Sequence, residues 1–340
     1  MRKRTQKYPL LQGHGGLHWV MTIFVSVASY CDPVLPFTLQ RAVQQARCPE
    51  ALHFAVIDQS PAGGPALDEK ALMPARLSVV HIDPLQARGP CWARALAMSL
   101  YVGEDWYFQI DSHMDFDTHW DQRLIAQAQA LQAVQSGFVI SSYPNAFEFQ
   151  DGQPVRKAAT AKVLGHVVKP GAQFAPEHPV IVFEAHPFES DEAVRGFHIG
   201  AGCLFAPGEI VQRFPYDPYL YFHGEEQALA ARLFTHGWDI YHMSGLPIFH
   251  LYRTEGAEAH ERPLHWDPAQ DTLRRQTWWA LEQRSQARLK ALLQGGQDLG
   301  VYGIGTARSL ADYADFCGVN YAERTLSSMA FRGPWRPAEE

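Results

Sequence analysis

Short runs of mostly apolar residues alternate with amphipathic segments throughout the first half of the chain. Continuous apolar runs predict buried strands, and apolar positions spaced by three and four residues predict helices. The strands are predicted at 22–29, 53–58, 77–83, 106–111 and 138–143, and the helices at 37–47, 90–101 and 120–135. Such repeated strand–helix–strand units are typical of an α/β fold with a doubly wound, mostly parallel sheet and flanking helices.

The second half of the chain has a less regular pattern. Residues 150–178 are rich in Gly, Pro, Lys and Ala and are predicted to form an insertion over the sheet, and residues 254–267 a loop. Strands are predicted at 181–185, 201–206, 240–243 and 247–252. Helices are predicted at 225–236 and from the end of the 254–267 loop to about residue 293. Without a repeat or a clear linker, we expect a loose extension over residues 1–20, one domain over 21–325 and a flexible tail over 326–340.

Composition narrows the possible classes of function. The net charge of −7 argues against a nucleic-acid partner, which a basic stripe would indicate. The five cysteines are scattered and form no Cys-x-x-Cys pair, so we expect free thiols in the reducing cytoplasm. No stretch approaches the roughly 20 apolar residues that a membrane-spanning helix needs.

The apolar run at 106–110 ends abruptly in Asp111-Ser112-His113. Ligands of open α/β sheets bind at the carboxyl ends of the strands, and Asp111 and His113 point the same way from an extended segment. A carboxylate with an imidazole suits a divalent ion such as manganese. The alternative is a local role, in which these side chains hydrogen-bond to the following turn.

Charged side chains mark the starts of two predicted helices. Glu225 and Glu226 open one of them, where a charge–dipole interaction explains one carboxylate and sugar hydroxyls are alternative partners. Arg88 and Arg94 flank the start of the other, which is either an exposed helix end or a site for a nucleotide phosphate.

Small and polar residues follow the predicted strand ends. Ser26, Tyr30 and Asp32 lie on the first strand and just after it, where nucleotide-binding α/β domains often receive the base and ribose. Gly202 follows Gly200-Ala201, and small residues there permit close approach of a ligand or form a bulge. The chain lacks the dinucleotide fingerprint, the Walker motif and the Gly-x-Ser-x-Gly motif.

Several of these motifs together resemble the cytosolic UDP-GlcNAc:protein hydroxyproline N-acetylglucosaminyltransferases. The resemblance rests on residues 22–32, 89–94, 109–113, 224–226 with 230–237, and 302–310, and it runs from about residue 22 to 320. It implies a GT-A fold with acceptor-side insertions, a UDP-sugar donor, a divalent ion and retention of the anomeric configuration. The family usually has Arg where Cys31 stands.

The chain is more distantly similar to the mucin-type polypeptide N-acetylgalactosaminyltransferases. Those proteins carry Asp-Ser-His, a small-residue loop like 200–202 and a later metal-binding histidine, which His250 matches. This similarity singles out His250 from the 16 histidines. It implies that Asp111, His113 and His250 bind the ion.

We therefore expect a retaining enzyme that moves GlcNAc, or a related sugar, from UDP to a hydroxyl of a protein, peptide or glycan, with Mn2+ or another divalent cation. Asp111, Glu225 and Glu226 are the expected catalytic residues. The donor would contact seven residues: Ser26, Tyr30, Asp32, Arg88, Arg94, Ser112 and Gly202. The alternatives are a metal-dependent hydrolase of nucleotide sugars or phosphoesters, and a non-catalytic binding module on a transferase fold.

Overall fold

The computed structural model describes residues 20–64, 67–252, 263–295 and 297–335. Residues 1–19 of the expected extension and most of the predicted loop at 254–267 lie outside these ranges. The helices are α1 Leu35–Gln45, α2 Pro90–Met98, α3 Trp120–Gln132, α4 Ile210–Arg213, α5 Glu225–Thr235, α6 Trp278–Gln294, α7 Leu310–Cys317 and α8 Ser328–Arg332. None of the helices in the described ranges combines the length and apolar character that crossing a bilayer requires.

Nine of the 16 strands in the described ranges fall close to predicted runs, and the other seven were not predicted. They are β1 Ile23–Tyr30, β2 Leu52–Gln59, β3 Arg76–His81, β4 Trp106–Ile110, β5 Met114–Phe116, β6 Phe138–Ile140, β7 Asn145–Gln150, β8 Gln153–Arg156, β9 Val163–Val168, β10 Phe183–Phe188, β11 Val194–Gly196, β12 Cys203–Pro207, β13 Asp239–His242, β14 Ile248–His250, β15 Val319–Asn320 and β16 Thr325–Leu326.

The main sheet of the described chain has eight strands in the order β11-β13-β6-β12-β4-β1-β2-β3. Strands β11 and β12 run antiparallel to the other six, which confirms the expected mostly parallel α/β sheet. The chain moves outward from β1 through β2 to β3 and then returns to β4 on the other side of β1. This reversal leaves a crevice beyond the carboxyl ends of β1 and β4, where open α/β sheets bind ligands.

Two hydrophobic clusters cover the two faces of this sheet. In β1, Phe24 packs in the cluster that includes α2 and α5, whereas Ile23 and Val25 pack in the cluster that includes α1 and α3. Because successive strand residues point to opposite faces, a strand buried on both faces needs a continuous apolar run. The predicted helix start at Pro90 is also observed.

A second sheet brings the distant His250 to the end of β4. Its strands follow the order β5-β14-β7-β8, and β14 pairs antiparallel with β5 so that His250 lies opposite Met114. The backbone N–H of Leu251 donates to the carbonyl oxygen of His113 over 3.1 Å. This register places His250 beside His113.

The segment at 150–178 contains regular strands that the sequence pattern did not predict. Strands β7 and β8 form a hairpin through Asp151 and Gly152, and β9 pairs antiparallel with β10. Asp151 and Gly152 both have positive φ, 49° and 74°, which is the backbone that a two-residue hairpin turn of type I′ requires.

The boundary of the expected flexible tail at residue 326 also needs correction. Helix α8 follows directly, with Ala330 completely buried in the core. The ring of Trp335 stacks on that of Phe188, with centroids 4.8 Å apart. Packed structure therefore continues at least to Trp335, because these apolar side chains cover the β9–β10 hairpin.

Candidate active site

A cavity of about 390 Å³ opens at the carboxyl ends of β1, β2 and β4, and we call it the cleft. Tyr30 and Asp32 line it from the end of β1, and Gln59 from the end of β2. The end of β4 contributes the Asp111-Ser112-His113 segment. The cleft thus occupies the crevice that the reversal of strand order creates.

Asp111, His113 and His250 converge inside the cleft. Nε2 of His250 lies 3.2 Å from Oδ2 of Asp111, and Nε2 of His113 lies 4.0 Å from the same oxygen. One potential ligand atom from each residue lies within 4.8 Å of the others. Two ligands about 2.1 Å from one ion are separated by up to about 4.2 Å, so small side-chain shifts would let all three bind one ion.

Asp32 orients His113. Its Oδ2 lies 2.8 Å from Nδ1 of His113 and accepts a hydrogen bond of 2.7 Å from the hydroxyl of Ser112. A carboxylate on one ring nitrogen keeps the proton there and leaves the other nitrogen free to bind a metal. Asp32 was expected to contact uridine, and the structure places its carboxylate against Nδ1 of His113.

Gly202 provides the space that the carboxylate of Asp111 occupies. A Cβ atom at position 202 would lie 2.5 Å from Oδ2 of Asp111. Any side chain there would displace the oxygen that faces both histidines. The small-residue loop therefore fits the reading of a close approach to a ligand-binding group.

The buried ion pair of Arg94 with Glu225 contacts Asp111 on the side away from the two histidines. Arg94 donates to Oε1 of Glu225 and, over 3.1 Å, to Oδ1 of Asp111. Oε2 of Glu225 accepts a hydrogen bond from the thiol of Cys91. Burial alone would raise the pKa of Asp111, but the His250 hydrogen bond and the nearby His113 and Arg94 hold that pKa well below its usual range.

Glu225 is only 5% exposed and lies outside the cleft lining. Burial raises its pKa, and the neighbouring Arg94 offsets part of that rise. The expectation that Glu225 contacts sugar hydroxyls therefore needs correction, because its oxygens already bind Arg94 and Cys91 inside the protein.

Glu226 points toward the small-residue loop. Its Oε1 accepts a hydrogen bond of 2.6 Å from the backbone N–H of Ala201, and Oε2 lies 3.7 Å from Nε2 of His198. Its side chain is 35% exposed, so one edge of the carboxylate remains accessible. Glu226 holds the loop that carries Gly202.

Two predicted donor contacts lie away from the cleft. Ser26 is fully buried four residues before the end of β1, roughly 13 Å inside the sheet at about 3.3 Å per residue. Arg88 is exposed and lies 5.5 Å from the ring of Trp92, outside the cleft. Gly89, with φ of 86°, turns the chain between Arg88 and the cleft residue Pro90.

The cleft also has an aromatic wall that was not predicted from the sequence. Phe222, His265 and Trp266 line it, with the rings of Phe222 and Trp266 stacked 5.0 Å apart. Arg274 fastens this wall to β1 by donating to the hydroxyl of Tyr30 over 2.6 Å and to the carbonyl of His265. No motif or spacing marks His265 or Arg274, because only the return of the chain after β14 brings them here.

The chain was also compared with known protein families and structures. A model of the family described as glycosyltransferase (GlcNAc) matches residues 60–323. A search of curated proteins gives no match.

The fold is similar to that of GalNAc-T7, solved with UDP, GalNAc and Mn2+, with a TM-score of 0.54 and 15% identity over 87% of this chain. The match covers 54% of the GalNAc-T7 chain, so this chain spans about half of that protein. The similarity confirms the expected GT-A fold. Weaker matches are TarS 1–349 of S. aureus (TM-score 0.40, 12% identity, 66% of this chain and 60% of that one) and its complex with UDP-GlcNAc (0.41, 13%, 71% and 62%).

Proposed function

Because the chain belongs to the GlcNAc glycosyltransferase family, we propose that it transfers GlcNAc from UDP-GlcNAc to a protein hydroxyl with the help of Mn2+ or a similar divalent ion. The observation that carries the proposal is the convergence of Asp111, His113 and His250 at the reversal of strand order. GalNAc-T7, which shares the fold, was crystallised with UDP, GalNAc and Mn2+, and this supports a UDP-linked donor and the choice of ion.

Asp111, His113 and His250 would hold the ion, which when bound supplies a Lewis acid for the negative charge that grows on the leaving diphosphate. These three side chains fit the ion, since a carboxylate and two imidazoles suit Mn2+ and Asp32 fixes the tautomer of His113. Arg94 keeps Asp111 ionised and in place, and Glu225 keeps Arg94 in place.

The aromatic wall and the end of β1 would bind the nucleoside. Tyr30, Phe222 and Trp266 offer ring faces to a base, and Gln59 lies beside them with a polar side chain. Arg274 acts as a positioning residue, because it joins the hydroxyl of Tyr30 to the segment that carries Trp266.

Retention is proposed from the motif resemblance, and the residues of the cleft favour a route without a covalent intermediate. Among the described residues that line the cleft, the carboxylates are Asp32 and Asp111. Asp32 accepts hydrogen bonds from Ser112 and from the backbone of Val34 and faces His113, and Asp111 belongs to the proposed metal site. A retaining enzyme that uses a covalent intermediate needs a carboxylate beside the sugar. The acceptor hydroxyl therefore attacks on the face from which UDP departs.

The acceptor hydroxyl that we propose first is that of hydroxyproline in a cytoplasmic protein. The motif resemblance supports this choice, and all five cysteines are free, as a reducing compartment requires. A hydroxyl of another peptide or of a glycan is the alternative.

The direct test is a screen of UDP-sugars for UDP release with and without Mn2+, followed by mass spectrometry of added acceptors. We expect Mn2+-stimulated release that is largest with UDP-GlcNAc, and a HexNAc mass added to an acceptor peptide. Sugar recovered only in free form with every acceptor would favour the hydrolase. No binding of UDP with Mn2+ in calorimetry would favour a non-catalytic module.

A further inference from the structure

A second cavity, of about 560 Å³, lies on the other side of one wall of the cleft. Its lining includes Arg88 and Trp92 from the start of α2, Tyr219 and Tyr221 from the segment before α5, and Arg284 and Arg288 from α6. We call it the arginine groove. No aspartate or glutamate of the described chain lines it, although acidic residues outnumber basic ones by 36 to 29 in the sequence.

Two of the three arginines carry uncompensated charge. Arg288 pairs with Asp217 at 2.5 Å. Within the described ranges Arg284 donates to neutral partners, the side-chain oxygen of Gln276 at 2.9 Å and the carbonyl oxygen of Ala280 at 3.2 Å. Arg88 lies against the ring of Trp92 and has no ion pair within the described ranges. Arg88 and Arg284 stand on different elements, so the groove offers separated cations rather than a single site.

The wall between the two cavities is one residue thick. Gly89 and Phe222 line the cleft, while their chain neighbours Arg88 and Tyr221 line the arginine groove. A Cβ atom at Gly89 would overlap the carbonyl oxygen of Tyr221, so the two segments touch directly. The groove and the cleft therefore lie close enough for one polypeptide to contact both.

We propose that the arginine groove binds an acidic segment of the acceptor polypeptide, next to the residue that receives the sugar. This inference rests on the proposed function. Guanidinium groups pair with carboxylates in a planar, two-bonded geometry, which favours Asp and Glu side chains of a peptide as the occupant. Tyr219 is 67% exposed and offers an apolar ring surface beside Arg288. In a protein of net charge −7, this local positive surface also directs an acidic partner to one place.

The test uses the full chain and a fluorescein-labelled hydroxyproline peptide flanked by glutamates, with a matched peptide in which glutamine replaces every glutamate. Fluorescence anisotropy at low salt should show tighter binding of the glutamate peptide. Arg284→Glu should weaken that binding about tenfold, because repulsion replaces attraction at an exposed site. Arg88→Glu should weaken it similarly, since Arg88 lines the same groove.

Lys290→Glu is the matched control. Lys290 is exposed on the same helix as Arg284, lies outside the groove lining and undergoes the same change of charge. We expect Lys290→Glu to change affinity for the glutamate peptide less than about twofold, since exposed charges outside a contact contribute little. Equal losses in Arg284→Glu and Lys290→Glu, or equal affinity for the two peptides, would overturn the proposal. Displacement of the peptide by an equal concentration of inorganic phosphate would overturn the assignment to a polypeptide.

Calorimetry with UDP and Mn2+ on the same preparation separates this inference from the proposed function. UDP binding without preference for the glutamate peptide would remove the groove assignment alone. Glutamate-dependent peptide binding without UDP binding would contradict the proposed transfer and leave the groove as a peptide site.

Discussion

The cleft and the arginine groove share a wall and differ in the sign of their charge. Asp32 and Asp111 line the cleft, and the guanidinium that contacts Asp111 is already paired with Glu225. The groove exposes arginines and no carboxylate of the described chain. The difference suggests that an anionic nucleotide enters the cleft only together with a cation, whereas an acidic polypeptide binds the groove directly.

Removing the charge of Asp111 should break this contrast most strongly. Asp111→Asn keeps the shape of the side chain and removes the anionic ligand, so we expect Mn2+-stimulated UDP release to fall about 100- to 1000-fold. The rate at saturating UDP-GlcNAc and Mn2+ is the measurement, with circular dichroism to confirm that the fold is retained. Near-normal turnover at saturating Mn2+ would contradict the role of Asp111.

The buried ion pair between Arg94 and Glu225 should contribute to the stability of the fold behind the cleft. Glu225→Gln leaves the buried guanidinium of Arg94 with Asp111 as its remaining partner, and we expect a loss of about 3 kcal/mol in the free energy of unfolding. Urea unfolding measures this loss. The control is Glu226→Gln, which removes a partly exposed charge and should cost within about 1 kcal/mol. Equal stabilities of the two variants would show that the Arg94 pair is not required.

Asp32 distinguishes a residue that orients His113 from one that contacts the nucleoside. Asp32→Asn should weaken Mn2+ affinity about 10- to 100-fold, because the ring of His113 loses the carboxylate that fixes its tautomer. The Mn2+ dependence of UDP release gives this affinity. An unchanged Mn2+ titration with a raised KM for the UDP-sugar would instead support the original expectation of a uridine contact.

The smallest expected effect is a difference in salt dependence between ligand binding in the groove and ligand binding in the cleft. Raising ionic strength from about 0.05 to 0.3 M shortens the Debye length and should weaken binding of the glutamate peptide several-fold, because Arg88 and Arg284 are exposed. The affinity for UDP with Mn2+ should change less, since the cleft residues are partly or fully buried. Anisotropy and calorimetry at two salt concentrations provide the comparison. Equal salt dependence at both sites would argue against an electrostatic groove.

Local pattern was sufficient for seven of the eight strands of the main sheet, all but β11, and for the Asp111–His113 pair. The apolar runs at β1 and β4 are continuous because both faces of these strands are buried, and the polar residues that end β4 lie at the crevice. His250 required the family resemblance, since only the pairing of β14 with β5 brings it to His113. Ser26 was predicted to contact the donor because it lies on the first strand. It does not reach the cleft, because a residue four places from the strand end is buried inside the sheet.

Two other features were hidden for different reasons. The turn at Asp151-Gly152 carries an ordinary hairpin signal that the Gly- and Lys-rich composition around it obscured. Arg274 carries no local signal, because its partners Tyr30 and His265 come from the first strand and from a segment far from that strand in sequence. Contacts of that kind depend on the path of the whole chain.

The most direct test of the metal assignment is an anomalous difference map from crystals grown with Mn2+ and UDP. We expect one strong peak in the cleft, next to Oδ2 of Asp111 and Nε2 of both His113 and His250, with the diphosphate beside it. A peak at other residues, or UDP bound in the cleft without an ion, would contradict the metal assignment.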